Sequence, residues 1–336
     1  MKEDEMRGVS LKFMRKINTI VLCAAAFALI QIATAPNALA DPILGSTLVN
    51  FAVLAGSTVT NTGPTTISGD VGVSPGSAIT GFYGTTENDG PGTINSGTGT
   101  FQQSTGVANT AQSQLATALG NFAGLTSLAT PIAGGNLSTV GSLTPGVYSV
   151  AAIAASAGGN LSGTLTLKGN GSANEAWVFL MPSTLITTGT ADVVLSDVGT
   201  GSAAYWIVGS SATLGADTEF EGNILASTSI TLDAGATITC GSALANTGAA
   251  TLDNNTIGNG CNGAPTGGGV TVSGDVVTVS LGEGTPPLVA TPEPGTFMLF
   301  GAGIACLVAW RRASARGRSE TWQLRPDPNA RHAATL

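Results

Sequence analysis

Glu219 and Glu221 are the residues of this chain whose type and spacing come nearest to a reaction. They alternate along a short apolar run, so on a β-strand both carboxylates emerge on one side, where a glycosidase-type acid/base pair could form. With Asp217 they also form a conceivable set of hard oxygen ligands for calcium. The surroundings argue against both uses. Acid/base chemistry on a polysaccharide needs partner groups that move protons and neutralise charge. Between Asp41 and Trp310 the chain has a single basic residue, Lys168, and no Arg or His; the one His of the sequence is His332 in the C-terminal tail. No Asp-rich loop spacing surrounds Asp217, and no Cys/His metal spacing occurs. The expectation is a solvated acidic face, with no enzymatic activity, no metal and no cofactor. Fifteen acidic residues against one basic residue leave this stretch with a formal charge of −14, which repels phosphate backbones and excludes nucleic acid as a partner.

Two of the four cysteines, Cys23 and Cys306, lie in terminal apolar segments. Cys240 and Cys261 remain. In an oxidising compartment they can close a loop as a disulfide; otherwise they are two buried thiols, and the sequence leaves both open.

The remaining candidates are threonines, and their spacing shows what must position them. Segment 212–226, ATLGADTEFEGNILA, is similar to 230–245, ITLDAGATITCGSALA. Leu214 and Leu232 are eighteen apart, as are Phe220 and Ile238; Leu225 and Leu244 are nineteen apart, with one residue inserted near Cys240, and Leu252 begins a third copy. A period of this length with three short strands per copy reads as a three-sided β-solenoid whose coils stack at about 4.8 Å. In a β-sandwich the same periodicity would be accidental. Alternation then turns Leu214, Phe220, Leu232, Ile238 and Leu252 inward, and Thr213, Thr231, Thr237 and Thr251 outward. Over residues 100–123 the pattern changes: Val107, Ala111, Leu115, Leu119 and Phe122 recur every three or four positions, the apolar stripe of an amphipathic helix lying against the β body.

The ends carry addresses. Lys12, Arg15 and Lys16, the apolar run Ile20–Ala33 and Ala38-Leu39-Ala40 make a signal peptide over 1–40, to be removed by signal peptidase. Residues 41–260 then form one β-solenoid domain, and 261–290, rich in Gly and Pro, read as a linker with room for one strand at Val270–Val279. Pro292-Glu293-Pro294, an apolar run to Trp310, and Arg311-Arg312 resemble the PEP-CTERM sorting signal of Gram-negative bacteria over 291–318, followed by a basic tail, 319–336. That resemblance implies an exosortase-type processing enzyme and delivery to the cell envelope or exopolysaccharide matrix, with membrane contact only through the terminal segments.

The blocks FAVLAGSTVTNTGPT (51–65), SGDVGVSPG (68–76), LTPGVY (143–148), GTLTL (163–167), WVFL (177–180), the run 206–226 and TLDNNTI (251–257) resemble, in order, the bacterial ice-binding-protein-like family (DUF3494). The resemblance implies a discontinuous right-handed three-sided β-helix with one long α-helix alongside, the N-terminal strands completing the solenoid. It also implies a flat ice-adsorbing face with a T-(A/G)-x-(T/N) pattern. Carried onto this chain, the pattern selects Thr62, Gly63 and Thr65, Ala216, and Ala234, Gly235 and Thr237, with Glu219 and Glu221 on the same face. Two functions follow: adsorption to ice through a Thr/Ala-rich face, or a structural or adhesive role in the envelope or matrix on the same fold.

Overall fold

The computed structural model describes residues 41–84, 89–151, 161–261, 264–265 and 268–290. The signal peptide, the sorting segment with Pro292, Glu293, Pro294, Arg311 and Arg312, and the basic tail lie outside the described residues, as does the side chain of Cys261. Three parallel sheets wrap around one apolar interior. The six-stranded sheet runs Leu185–Ile186, Ala212–Leu214, Ile230–Leu232, Ala250–Leu252, Thr58–Asn61, Ala78–Thr80. The eight-stranded sheet runs Ser142–Leu143, Thr164–Lys168, Asp192–Ser196, Glu219–Glu221, Thr237–Thr239, Thr256–Gly258, Thr66–Ser68, Thr93–Ile94. The nine-stranded sheet holds Phe101–Gln103, Asp70–Val73, Phe51–Ala55, Ala243–Ala245, Asn223–Ala226, Ala203–Val208, Ala176–Met181, Gly146–Val150 and Thr130–Ile132.

The register follows the repeat. Leu214, Leu232 and Leu252 are successive partners, as are Phe220 and Ile238, and Leu225 and Leu244. The extra residue of the second copy falls at Cys240, whose φ of 51° places it in the left-handed region at a corner. The solenoid is discontinuous: Ala250–Leu252 pairs with Thr58–Asn61 and Thr256–Gly258 with Thr66–Ser68, so the N-terminal coils stack on the last coil of the repeat. Stacking puts like on like inside. Tyr148, Phe179 and Trp206 are register partners and form, with Phe220, a continuous aromatic column with centroid separations of 5.6, 4.0 and 5.0 Å.

The long helix, Gly106–Ala123, starts at Thr105, whose side chain accepts a hydrogen bond from the Ala108 N–H. It buries Ala108, Ala111, Leu115, Ala118 and Phe122 against the outer surface of the nine-stranded sheet. The stripe expected from the sequence is therefore rotated at its first member: Val107 is exposed and Ala108 takes its place. With the small residues Ala108, Ala111 and Ala118 inward, the helix can approach the sheet closely. Residues 101–103, placed in the helix by the sequence pattern, are a strand.

The linker expected over 261–290 is corrected. Val270–Ser273, Val276–Val279 and Leu288–Ala290 form an antiparallel sheet, with Asp41–Pro42 as its fourth strand. Val270, Val277 and Val279 are buried in the same cluster as Phe122, Leu125 and Tyr205. The Tyr205 hydroxyl donates to the Gly268 carbonyl at 2.7 Å, and the Ala176 N–H to the Ser280 carbonyl at 3.0 Å. The compact unit thus extends through Ala290, not to residue 260. The apolar surface that the helix leaves open on the nine-stranded sheet is what this segment covers.

Cys240 is disulfide-bonded in the structure.

Candidate functional site: the outward threonine rows

Side chains that alternate inward and outward along each strand stand in rows once coils stack. On the six-stranded sheet the register joins Thr213, Thr231, Thr251, Thr60 and Thr80, with Ile186 at the end of the row. Thr251 is exposed and the other four threonines are half-buried by one another. Two positions earlier on each strand stand Ser211, Ser229, Ala249, Thr58 and Ala78. These rows repeat at about 4.8 Å across the strands and about 6.6 Å along them. Neither row contains a charged residue. The nearest carboxylates, Asp233 and Asp253, sit beyond the strands at the corner.

The eight-stranded sheet is different. Its outward row is Thr164, Asp192, Glu219, Thr237, Thr256, Thr66, Thr93. Its second row includes Thr166 with Val194, Glu221 with Thr239, and Gly258 with Ser68. Glu219 stands exposed; Glu221 folds down, one carboxylate oxygen accepting from the Leu195 N–H and the other from the Thr239 hydroxyl at 3.5 Å. Burial pushes the Asp192 carboxyl up, and neighbouring Glu219 adds to it. Burial also raises Glu221, partly opposed by its Leu195 and Thr239 hydrogen bonds. Half of this sheet is acidic and half is Thr-rich.

The residues selected by the T-(A/G)-x-(T/N) pattern do not share a flat row. Thr62, Gly63, Ala216, Ala234 and Gly235 lie in the corner between the six- and eight-stranded sheets. Gly63 is required by packing there, since a Cβ would meet the Asn254 nitrogen at 2.4 Å; Gly235 has φ of 77°. Thr65 is a correction: it is fully buried. Its hydroxyl donates to the Asn61 Oδ1 at 2.6 Å and accepts from the Asn255 N–H at 3.0 Å. The residue equivalent to Thr237 is Thr66, its register neighbour through Thr256. Of the pattern residues, only Thr237 faces outward from a sheet, and that sheet is the eight-stranded one. The six-stranded row was present in the sequence only as the outward partners Thr213, Thr231 and Thr251; Thr60 and Thr80 join it through the closure of the solenoid.

The buried Asn255 ties this corner together. Its side-chain amide donates to the Asp233 and Ala236 carbonyls, both at 2.9 Å, and its Oδ1 accepts from the Asp253 N–H at 2.7 Å. Asn255→Ala removes the amide donor of the buried Ala236 carbonyl, while the Asp233 carbonyl keeps the Ala236 N–H at 3.1 Å, and we expect a loss of about 2 kcal/mol of unfolding free energy, read from urea denaturation.

The carboxyls also set a pH dependence. Glu175 is fully buried, and burial raises its carboxyl despite a hydrogen bond from the Asn170 N–H at 2.9 Å. Asp192 and Glu221 are raised in the same direction. Each therefore holds its proton more tightly folded than unfolded. Their contribution to stability is complete below the ordinary carboxylate range and is lost as pH rises through the raised folded values. The urea midpoint is expected to rise from neutral pH to mild acidity, and Glu175→Gln to flatten that rise.

A parallel three-sided solenoid with a long helix on one side and uncharged hydroxyl rows on another defines a class of flat-faced binding proteins, with no grouping of acidic, His or Cys side chains suited to a metal among the described residues. The comparisons name the family. Residues 53–258 match the family described as Ice-binding-like, and this chain belongs to it. Residues 290–313 match the PEP-CTERM protein-sorting motif. An ice-binding protein of Nostoc sp. (strain HG1) is 41% identical over 279 residues, covering 83% of this chain and 96% of that protein. Among solved structures, an ice-binding protein from an Antarctic biological consortium is 38% identical with a TM-score of 0.53, covering 65% of this chain and 90% of that one. An ice-binding protein from the Antarctic ascomycete Antarctomyces psychrotrophicus is 32% identical with a TM-score of 0.55, covering 67% and 100%. The family and fold are those of ice-binding proteins, not of enzymes, and the sorting motif marks an exported, surface-sorted protein.

Proposed function

We propose that this protein, once exported and sorted to the envelope of a Gram-negative cell, adsorbs to ice through the six-stranded sheet. The observation that carries this reading is the pair of adjacent, charge-free rows centred on Thr231. Each Thr presents a methyl group, which leaves neighbouring water free to adopt an ordered cage, and a hydroxyl, which can join that cage by hydrogen bonding. A parallel sheet backed by the stacked, buried Leu214, Leu232 and Leu252 holds these groups in a level array. Carboxylates keep hydration shells of their own and would break the pattern, which favours the six-stranded sheet over its acidic neighbour. The relatives named as ice-binding proteins support the same ligand.

The test is adsorption of residues 41–290 to a growing ice hemisphere, together with inhibition of recrystallisation. Uptake into ice is expected for the wild-type unit. Glu219→Thr, on the eight-stranded sheet, should change it by no more than about twofold, the usual reach of a surface substitution. Exclusion of the wild-type unit from ice would overturn the reading. In its place would stand adhesion to exopolysaccharide through the acidic half of the eight-stranded sheet, which the sorting motif also accommodates.

A further inference from the structure

The threonine row of the six-stranded sheet is assembled from two blocks of chain. Thr213, Thr231 and Thr251 lie on consecutive coils of one continuous stretch, and Thr60 and Thr80 on consecutive coils of another. Inside a block the covalent corners fix where each coil begins. Between Thr251 and Thr60, which are register partners, no corner joins one coil to the next.

The backbone ladder across this joint does not by itself specify a register. A strand that slides by two residues against a parallel neighbour makes the same kind of bonds and keeps the same residues outward. The ladder here is short: Ala250, Thr251 and Leu252 against Val59, Thr60 and Asn61. Such a slide would leave each block intact and displace Thr60 and Thr80 by about 6.6 Å along the sheet relative to the other three threonines.

Buried side chains at the corner with the eight-stranded sheet supply the missing constraint. The Thr65 hydroxyl accepts from the Asn255 N–H at 3.0 Å, across the joint, and donates to the Asn61 Oδ1 at 2.6 Å. The Asn61 amide donates to the carbonyl of Gly63 at 2.6 Å and to that of Gly81, on the coil of Thr80, at 2.8 Å. On the other side the Asn255 amide reaches the Asp233 and Ala236 carbonyls, on the coil of Thr231. One chain of bonds thus links the four coils that carry Thr231, Thr251, Thr60 and Thr80. Asn61, Thr65 and Asn255 are buried, so water does not replace a bond that a slide would break. The Asn259 amide also crosses the joint, to the Val49 carbonyl at 3.1 Å, but at the corner between the eight- and nine-stranded sheets, away from the threonine rows.

We propose that Thr65 is a positioning residue for the six-stranded sheet: through Asn255 and Asn61 it locks the two blocks in one register, so that five threonines present a single row. The inference rests on the reading that this sheet adsorbs to ice.

Thr65→Val keeps the shape of the side chain and removes the hydroxyl; Thr65→Ser keeps the hydroxyl. Each is made in the full chain, and uptake into ice and site-resolved amide hydrogen exchange are measured well below the thermal midpoint. Thr65→Val is expected to enter ice severalfold less than wild type. Exchange should quicken severalfold at Thr62 and Thr66, whose N–H groups bond across the joint to the Leu252 and Asn255 carbonyls, relative to Asp233 and Thr237, whose bonds lie within a block. Thr65→Ser should restore both readouts to within about twofold of wild type. Trp206→Ala, destabilised away from the joint, should not single out Thr62 and Thr66. Wild-type uptake by Thr65→Val, equal quickening at all four amides, or the same loss in Thr65→Ser would each overturn the proposal. If Thr65→Val does not fold, Asn61→Ala, which removes the ties to Gly63 and Gly81, takes its place with the same expected and overturning results. Exclusion of the wild type from ice, with quickening still confined to the joint in Thr65→Val, would overturn the ice reading and leave the register lock standing.

Discussion

Thr231→Tyr is expected to reduce uptake of the folded unit into ice by at least about tenfold, a difference of roughly 1.4 kcal/mol in adsorption free energy. Thr231 occupies the middle of the row, with Thr213 and Thr251 as its register neighbours on either side. A phenol ring at this point rises well above the surrounding hydroxyl and methyl groups. A flat crystal surface can then touch the ring or the row, but not both. Because the side chain points outward and Tyr is favoured on strands, the fold should not suffer. Thr256→Tyr supplies the control, since it places the same ring on the eight-stranded sheet. Its uptake should remain within about twofold of wild type. The reverse pattern, with loss at 256 and none at 231, would move the adsorbing surface to the eight-stranded sheet.

Trp206→Ala is expected to have the largest effect on stability. Trp206 is completely buried and stacks on Phe179 with centroids 4.0 Å apart and planes within 9°. It meets Phe220 on the next coil at 5.0 Å, and its indole N–H donates to the Glu221 carbonyl at 3.3 Å. Truncation opens a cavity in the middle of the aromatic column and leaves that carbonyl without its donor. The cost is about 4 kcal/mol, and for a unit of this size it lowers the melting temperature by about 10 °C. Trp206→Phe keeps most of the stack and should cost about 1.5 kcal/mol. Calorimetry of both variants checks the order. The column ends at Phe220, before the coils of Thr231 and Thr251, so Trp206→Ala should leave ice uptake within about twofold of wild type as long as the variant stays folded.

How much of this was readable along the chain depends on whether a property is linear. The period of eighteen or nineteen is linear, because Leu214, Leu232 and Leu252 must return to the same height and the same side after each coil. The solenoid, the existence of the helix and the inward and outward assignment of the central coils follow from such spacing; the C-terminal sorting motif was legible from its residue order instead. The rotation of the helix does not. Val107 and Ala108 differ by one position, and only the close approach of helix to sheet selects the smaller residue for burial. The corner was misread for a related reason. Thr65 and Thr66 are the same letter, and the corner between strands carries no alternation to say that the first hydroxyl bonds Asn61 inside while the second faces water.

Residues 261–290 show the limit from the other direction. Gly, Pro, Thr and Val compose a flexible tether as readily as a short sheet; what decided the outcome was an uncovered apolar surface on the nine-stranded sheet into which Val270, Val277 and Val279 fit. The charge-free face is likewise a tertiary property. Thr60 stands beside Thr251 although about 190 positions separate them, and Thr80 stands beside Thr60, because the N-terminal coils close onto the last repeat. By itself, then, the order of residues determined the coil, its length and its destination. Which threonines become neighbours, and which carboxylates are kept away from them, was decided by stacking, since a row across a sheet is made of residues that no local pattern connects.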